Sequence, residues 1–238
     1  MKTQEMINAY DLRQLGGSMG LVFDNRDTFD EDGTILQSAK EGNKYLTLIN
    51  RASMRKVPLE QEFCENADYK LHYPILKKLD AVYTSYKHET GKYDFTDMIK
   101  LMVEQGTAPT LDVLIVDEAQ DLTPLQWEQV KILRNNAQRV YYAGDDDQAI
   151  FRHTGVDVRH MLSVCDDMRV LEQSYRVPRA VHNLAARIAS QISVRQPKNW
   201  APTQHEGSIQ QYLNVHEVDM TEGSWTVMSR TSKNLVDL

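Results

Sequence analysis

The chain has 238 residues, of which 41% are hydrophobic and 26% charged, and its net charge is −7. It is long enough to bury a sizeable core in one large or two small domains, and this composition is that of a soluble globular protein. No run of eighteen apolar residues and no signal-peptide pattern occurs, so we expect a cytoplasmic protein without a membrane span. The acidic balance argues only weakly against DNA binding, because a local basic groove can coexist with it. Cys64 and Cys165 lack metal-ligand spacing, which predicts reduced, structural cysteines.

The first 91 residues carry a mainly helical pattern. Residues 24–33 form an acidic stretch whose oxygen ligands are out of register for a calcium loop, so a solvated turn is predicted there. Two amphipathic helices follow, one around residues 45–56 and one around residues 76–87. Their basic residues are Arg51, Arg55, Lys56, Lys77, Lys78 and Lys87. We interpret these as solvated faces of packed helices, with contact to a nucleic-acid backbone as the alternative.

A new helix is predicted at residues 93–99, and the most informative stretch, residues 111–158, follows it with an apolar run at residues 113–116. Such a run between polar residues predicts a strand of a parallel sheet that is buried on both faces. Asp117 and Glu118 follow at its carboxyl end, where ligands bind in open α/β sheets. One carboxylate can hold Mg²⁺ while its neighbour orients and deprotonates an attacking water. A solvated acidic turn is the alternative for such a pair considered alone.

A second strand is predicted at residues 139–143, after a helix whose start at residues 123–126 has capping-box spacing. The second strand leads into Gly144 and the acids of residues 145–147, and Gln148 comes next. Two parallel strands joined by a helix deliver both sets of acids to one edge of the sheet. We therefore expect one shared site, in which the Gln148 amide can sense a terminal phosphate.

Beyond this site a third strand is predicted at residues 169–173. It leads into a helix with one apolar stripe formed by Val181, Leu184, Ala185, Ile188, Ala189 and Ile192. Residues 196–207 are polar and rich in proline, which is typical of a loop. Two further strands are predicted at residues 208–213 and 224–231.

Three motifs follow one another along the chain: VDEAQD at residues 116–121, AGDDDQAIF at residues 143–151 and LEQSYRVP at residues 171–178. With them the carboxy-terminal part of the chain, from about residue 90, resembles the UvrD/Rep family of superfamily 1 DNA helicases. The resemblance implies an α/β fold, with a partial RecA-like parallel sheet, a helical insertion domain before it and the start of a second RecA-like domain after it. The implied domains are residues 1–91, 92–168 and 169–238.

The resemblance implies roles at a nucleotide site that takes ATP and Mg²⁺. Asp117 would bind the metal, Glu118 would activate water and Gln148 would sense the γ-phosphate. Asp145 would lie beside Gln148 at the nucleotide. These roles match what carboxylates and amides do in phosphoryl transfer.

The resemblance also implies roles outside the two acidic turns. Arg176 would reach the γ-phosphate from the second domain, and Tyr175 would pack near the base. In relatives, single-stranded DNA stacks on aromatic residues of the loop after the glutamine, where this chain has Phe151 and His153. Since His153 stands where Trp is common, weaker stacking is expected. A core contact beneath the loop is the alternative for Phe151.

No GxxxxGK[ST] segment occurs in these 238 residues, so the amide cradle and the lysine that grip the phosphates in this family are lacking. We expect this polypeptide alone neither to bind ATP tightly nor to unwind DNA. An apolar edge and face of the sheet would then be uncovered. We expect a partner chain that carries the P-loop half, self-association or local rearrangement to cover them.

The leading hypothesis is a segment of an ATP-dependent, 3′-to-5′ DNA helicase acting in replication or repair. Its partner would be single-stranded DNA or a junction with duplex, and hydrolysis would open and close the cleft between two RecA-like domains. The second hypothesis is a non-catalytic DNA- or protein-binding module. A two-metal nuclease is disfavoured, because the acids lie at predicted strand ends in a helicase pattern.

Overall fold

The chain is mainly helical and contains a two-stranded parallel sheet, which is an α/β arrangement. The computed structural model describes residues 5–24, 39–66, 70–150, 155–165 and 167–228. Within these ranges no helix is long and apolar enough to cross a membrane. Nearly all of the predicted acidic turn at residues 24–33 lies outside the described residues.

Four helices pack around the first hydrophobic core: α1 Ala9–Met19, α2 Glu41–Arg55, α3 Leu59–Asn66 and α4 Tyr73–Thr90. The helices predicted around residues 45–56 and 76–87 are confirmed as α2 and α4. Their apolar faces meet in the core, which contains Leu21, Phe23, Tyr45, Leu48, Ile49, Leu71, Leu76 and Leu79. The Tyr45 hydroxyl is fully buried and accepts a hydrogen bond from the His72 N–H at 2.9 Å, so its polar atom is satisfied inside the core.

The basic side of α2 is not a solvated face, contrary to the prediction. Arg51 is buried and pairs with Glu62 of α3 at 3.1 Å. Arg55 binds both Glu62 and Glu65. Because Glu62 is fully buried, its charge has to be offset inside the protein, and two guanidinium groups from one helix do this. On α4 the predicted exposure of Lys77 and Lys78 is confirmed, but Lys87 is only 14% exposed because it pairs with Asp94 and Asp97.

Helix α5, Phe95–Gln105, confirms the helix predicted from residue 93 and leads into the sheet. Strands β1, Leu111–Val116, and β2, Ala137–Tyr142, pair in parallel. Helix α6, Pro124–Asn135, joins them, and its predicted capping box is confirmed by the Thr123 N–H donating to Gln126 Oε1 at 2.9 Å. The second core lies beneath the sheet and contains Val116, Ala119, Trp127, Val130, Val158 and Met161.

Strand β1 is buried on one face only, so the prediction of burial on both faces is wrong. The face of Leu114 and Val116 packs on the second core. On the other face Val113 is 38% exposed, Ile115 is 69% exposed and Tyr141 of β2 is 55% exposed beside Ile115. The physical reason is that a parallel strand is buried on both faces only where helices cover both sides. The uncovered face agrees with the expectation of an apolar surface that needs a partner.

The chain after residue 155 is less densely packed. It contains α7, Val158–Ser163, and α8, Arg179–Ala189, and the second of these confirms the predicted helix. Its apolar stripe is not buried, since Val181 is 39% exposed and Ile188 is 59% exposed. The predicted strands at residues 169–173, 208–213 and 224–228 are wrong, because only Gln173 forms an isolated bridge, to Ala201. A strand needs a neighbour that continues the hydrogen-bond ladder, and within the described ranges these stretches have no such partner beyond the single bridge to Ala201. Residues 229–231 lie outside those ranges.

Replacing Glu62 by Ala would leave Arg51 and Arg55 without their buried counter-charge. We expect the free energy of unfolding to fall by about 3 kcal/mol, as for other buried pairs that lose one partner. Urea denaturation followed by circular dichroism measures this loss. The control is Glu65→Ala, which removes an exposed partner of the same Arg55 and should have a much smaller effect. Equal losses in the two variants would contradict the role of burial.

Candidate functional site

The turns that follow β1 and β2 lie side by side at the carboxyl edge of the sheet. The Ala143 N–H donates to the Val116 carbonyl at 2.8 Å, and the Ala119 N–H donates to the Ala143 carbonyl at 2.9 Å. These bonds extend the parallel ladder beyond the strands into residues 117–121 and 144–148. Four of the residues singled out in the sequence therefore share one edge: Asp117, Glu118, Asp145 and Gln148.

Gln120 joins the two turns and was not among the residues predicted for the site. It is buried, with only 2% of its surface exposed. The Asp145 N–H donates to Gln120 Oε1 at 3.0 Å. In the other direction Gln120 Nε2 donates to Glu118 Oε2 at 2.7 Å and to Asp121 Oδ2 at 3.3 Å. Its place inside VDEAQD was the available signal, since a buried amide produces no periodic pattern.

Gly144 allows the second turn to approach the first so closely. A Cβ atom at this position would lie 2.5 Å from Gln120 Oε1, 2.9 Å from Met161 Sδ and 3.2 Å from the Ala119 nitrogen. The first two contacts are shorter than real Cβ contacts, so the Gln120 and Met161 side chains would have to move, and the third is a tight contact with backbone. Space, and not an unusual backbone angle, therefore favours glycine here.

Asp117 and Glu118 stand at the tip of the first turn. Glu118 has a left-handed backbone with φ 49° and ψ 41°, which costs a non-glycine residue about 1 kcal/mol. The bond from Gln120 and the short 3₁₀ helix Ala119–Asp121 hold it in this conformation. The Glu118 N–H donates to Asp117 Oδ1 at 3.0 Å. Both residues are exposed, so their carboxylates are accessible to a ligand.

Asp121 is the least satisfied acid of the first turn. Burial raises the pKa of its carboxyl group, and the negative charge of Glu118 raises that pKa further. Its Oδ1 atom is buried and has no hydrogen-bond partner among the residues that the structure describes. No lysine or arginine of that part of the chain pairs with an acid of residues 117–121. Among the described residues, the first turn is therefore a set of carboxylates without a counter-cation.

The acids of the second turn are paired with two cations, Lys198 and Arg195, that were not predicted from the sequence. Lys198 Nζ contacts the carboxylates of Asp145, Asp146 and Asp147. Arg195 binds Asp147 through Nε at 2.8 Å and through Nη2 at 2.7 Å. Burial by itself raises the pKa of Asp145 and of Asp147, but the hydrogen bonds, mainly from these cations, outweigh it and hold both pKa values below normal. Ion pairs between segments so far apart in the chain have no local sequence signal.

Gln148 is held by the acid at the start of its own turn. Asp145 caps the 3₁₀ helix Asp146–Gln148, since its Oδ1 accepts the Asp147 N–H at 3.1 Å. Gln148 Nε2 donates to Asp145 Oδ2 at 2.7 Å. Gln148 is exposed, so its amide is oriented from one side and accessible from the other.

The remaining candidates are not brought to this edge. Tyr175 is 87% exposed and Arg176 is also exposed. Within the described ranges no hydrogen bond or ion pair links either side chain to the two turns. Phe151 and His153 lie outside the described residues. The roles of these four residues stay predictions.

The donor set of the first turn suits a magnesium ion that is shared with a ligand. No group of three or more His, Cys, Asp or Glu in the described part of the chain could hold a metal on its own. Mg²⁺ typically takes one or two carboxylates and completes its shell with water and phosphate oxygens. Exposed Asp117 and the unpartnered oxygen of Asp121 fit this requirement. The second turn does not, because Lys198 already lies among its carboxylates.

Residues 3–169 match the family model for the UvrD/REP helicase N-terminal domain. The chain belongs to this family. The resemblance inferred from the three motifs is thereby confirmed.

Relatives in the family are named as DNA helicases. ATP-dependent DNA helicase PcrA of Staphylococcus epidermidis is 30% identical over 160 residues, which cover 60% of this chain. ATP-dependent DNA helicase srs2 of Schizosaccharomyces pombe is 24% identical over 208 residues, or 83% of the chain. DNA helicase II of Haemophilus influenzae is 26% identical over 156 residues, or 60% of the chain. Each alignment spans 22% of the relative's own length.

Replacing Gln120 by Ala would remove the bonds that join the two turns and leave the Asp145 N–H without its acceptor. We expect the free energy of unfolding to fall by about 2 kcal/mol, the usual effect of a buried polar group that loses its partner. Urea denaturation measures this change. Gln138→Ala is the matched control, because Gln138 is an exposed glutamine bonded to Asp112. A similar loss in both variants would count against Gln120 as the link.

Replacing Asp121 by Asn should stabilise the protein in a pH-dependent way. Because the folded pKa of Asp121 is raised above 3.8, the native state binds more protons than the unfolded state in the window above that value. Stability is therefore lost as pH rises through this window, and the asparagine variant does not share the loss. We expect the variant to melt at a higher temperature than the parent at about pH 7 and to lose this advantage towards about pH 4. A difference in melting temperature that does not change with pH would refute the assignment.

Proposed function

We propose that the chain is a segment of an ATP-dependent DNA helicase that couples ATP hydrolysis to 3′-to-5′ movement along single-stranded DNA. Membership of the UvrD/REP family supports the helicase class. The observation that carries the nucleotide site is the contact between the turns at residues 117–121 and 144–148 through Gln120. The direction of movement follows from the resemblance to the family and from no residue of this chain.

In this proposal the residues at the sheet edge have separate tasks. Asp117 is a ligand of the metal, and Glu118 accepts the proton of the attacking water. Gln148 donates to the γ-phosphate, and Asp145 orients its amide. When bound, Mg-ATP supplies the phosphoryl group to be transferred and the cation that offsets its charge. The left-handed backbone of Glu118 and its bond to Gln120 fix the direction of the base, which favours a pre-organised geometry.

The distribution of charge supports the first turn as the metal-binding turn. Lys198 and Arg195 already pair with the acids of residues 145–147 and offset most of their charge. A divalent cation there would have to displace an ammonium group that has carboxylate partners on several sides. At residues 117–121 it would meet carboxylates that no cation of the described residues pairs with, and the electrostatic gain is larger.

We also propose a division into a helical accessory domain at residues 1–91, a RecA-like part at residues 92–168 and the start of a second RecA-like domain at residues 169–238. Two observations support these bounds. The helical and sheet units have separate hydrophobic cores, and the family match ends at residue 169. The apolar sheet face with Val113 and Ile115 would dock the P-loop half, on a separate chain or by self-association. Single-stranded DNA would bind at the loop that carries Phe151 and His153.

The nucleotide proposal is tested first on the polypeptide alone. Because its 238 residues contain no P-loop motif, we expect no steady Mg-ATP turnover from it. A P-loop segment from a family member, fused ahead of the chain or added separately, should produce ATP hydrolysis that single-stranded DNA stimulates. A coupled phosphate-release assay measures both. Sustained turnover by the unsupplemented polypeptide would contradict this prediction.

The role of Glu118 is tested in the supplemented protein. Glu118→Gln should lower kcat by about 100-fold or more, which is the usual contribution of a general base, and should leave KM for ATP nearly unchanged. Glu104→Gln, at an exposed carboxylate on α5, is the matched control and should retain the parent rate. A Glu118→Gln variant with the parent kcat would show that Glu118 is not the general base.

A non-catalytic DNA- or protein-binding module is the second candidate. The observation that favours it is the position of Tyr175 and Arg176, which are exposed and do not contact the acidic turns. Under this alternative, the supplemented protein would bind a fluorescent single-stranded oligonucleotide without DNA-stimulated hydrolysis. The two candidates therefore differ in one measured quantity, the ratio of ATP turnover with and without DNA.

A further inference from the structure

Residues 194–203, here called the brace, connect the acidic turn after β2 with the segment that carries Arg176. At its start Val194 packs against the second core. Its end runs beside residues 172–177 through backbone hydrogen bonds. The brace is therefore attached on both sides by contacts of different kinds.

The attachment to the acidic turn is an ion-pair cluster with low exposure. The side chains of Lys198 and Asp146 are 14% and 4% exposed, and the Lys198 ammonium lies 3.0 Å from Asp147 Oδ2. Arg195 adds a two-pronged pair to Asp147, and the Gln196 N–H donates to Asp146 Oδ2 at 2.5 Å. Charge-assisted, bidentate pairs of this kind fix geometry more strongly than single exposed pairs. Salt also screens them less than surface pairs.

The attachment to the Arg176 segment is made by the backbone. The Ala201 N–H donates to the Glu172 carbonyl at 2.7 Å, and the Ser174 N–H donates to the Ala201 carbonyl at 2.9 Å. The Thr203 N–H donates to the Val177 carbonyl at 2.9 Å. These bonds lie on both sides of Arg176 in the sequence, so the brace fixes the position of the Arg176 backbone.

Among the described residues, the segment that carries Arg176, residues 171–178, forms hydrogen bonds outside itself and α8 only with the brace. The start of α8 is also bound to the loop after the brace, since the Arg179 and Ala180 N–H groups donate to the carbonyls of His205 and Glu206. Leu171 is 88% exposed and Tyr175 is 87% exposed. The helix that follows, α8, contains no buried residue. The position of this segment relative to the sheet therefore depends largely on the brace and its ion pairs.

We propose that Arg195 and Lys198 are positioning residues, which fix Arg176 relative to Gln148 by holding the brace on the acidic turn. The inference rests on the proposed function only for the role of Arg176 at the phosphate. Without the two cations, three adjacent carboxylates would repel one another, and buried Asp146 would lack a counter-charge. The acidic turn and the brace would then separate.

The test measures a distance and needs no nucleotide. Spin labels are placed at Arg176→Cys and at Lys131→Cys on the exposed side of α6, in a chain whose Cys64 and Cys165 are replaced by Ser. Double electron–electron resonance then gives the distribution of distances between the labels. We expect Arg195→Gln with Lys198→Gln to broaden this distribution by about twofold or more, because local attachments are lost while the domain stays folded. An unchanged distribution would overturn the proposal.

Three comparisons make the outcome specific. Arg179→Gln removes an exposed cation of α8 that pairs with Glu206 at 3.6 Å, and it should leave the distribution unchanged. A double variant with Arg195→Gln and Lys198→Arg, which keeps the positive charge at position 198, should show a narrower distribution than the double glutamine variant. Circular dichroism checks that the helices persist in every variant. If Arg179→Gln broadened the distribution as much as the double glutamine variant, a specific role for the brace would be refuted. The same holds if Lys198→Arg left the distribution as broad as Lys198→Gln does.

Hydrogen exchange gives a second measurement on the chain without labels. In the double glutamine variant the amides of Ser174, Ala201 and Thr203 should exchange about tenfold faster, and the amides of α2 should not change. Parent-like exchange at these amides would also overturn the proposal. Since neither measurement involves ATP, failure of the brace and failure of the proposed catalytic function would be distinguishable.

Discussion

The buried amide of Gln120 is the interaction on which the candidate site depends. Two acidic turns placed side by side repel each other wherever their charge is not offset, so groups between them have to favour the contact. An amide can donate to carboxylates on one turn and accept a backbone N–H from the other, whereas a carboxylate cannot donate and an ammonium group cannot accept. Gln120 does both, and Gly144 leaves the space for it. The parallel pairing of β1 and β2 brings the turns near each other, but the amide holds them in contact.

Both turns are acidic, but only the second is paired with cations among the described residues. In the first turn burial and a neighbouring carboxylate raise the pKa of Asp121, and no cation of the described residues pairs there. In the second turn Lys198 and Arg195 hold the pKa values of Asp145 and Asp147 low. A site for a divalent cation must leave one set of carboxylates open, since a set that is already neutralised gains little from the ion. The structure thus separates a turn suited to a metal from a turn suited to a structural ion-pair network.

Much of this architecture has local causes and could be predicted. Strands β1 and β2 follow from short apolar runs, α2 and α4 from helical periodicity, and the start of α6 from a capping box at residues 123–126. The position of the acids at one sheet edge follows from the order strand, helix, strand. Gln120, Arg195 and Lys198 could not be found in this way. Their partners lie on other segments, and a contact between distant segments leaves no period in the sequence. The buried pair of Arg51 and Glu62 was missed for the same reason.

The wrong strand predictions and the exposed sheet face have one physical cause. Val170 and Leu171 have apolar side chains suited to a strand, yet a strand forms only where another segment accepts its backbone hydrogen bonds. Among the described residues Ala201 alone bridges to this stretch. Likewise Val113 and Ile115 suit a buried face, but no described helix covers it. Parallel strands are found almost entirely in larger sheets that are covered on both sides. Backbone groups near Leu171 that have no strand partner among the described residues and the uncovered apolar face on β1 therefore have the same origin, since both are suited to a larger sheet than the described residues form.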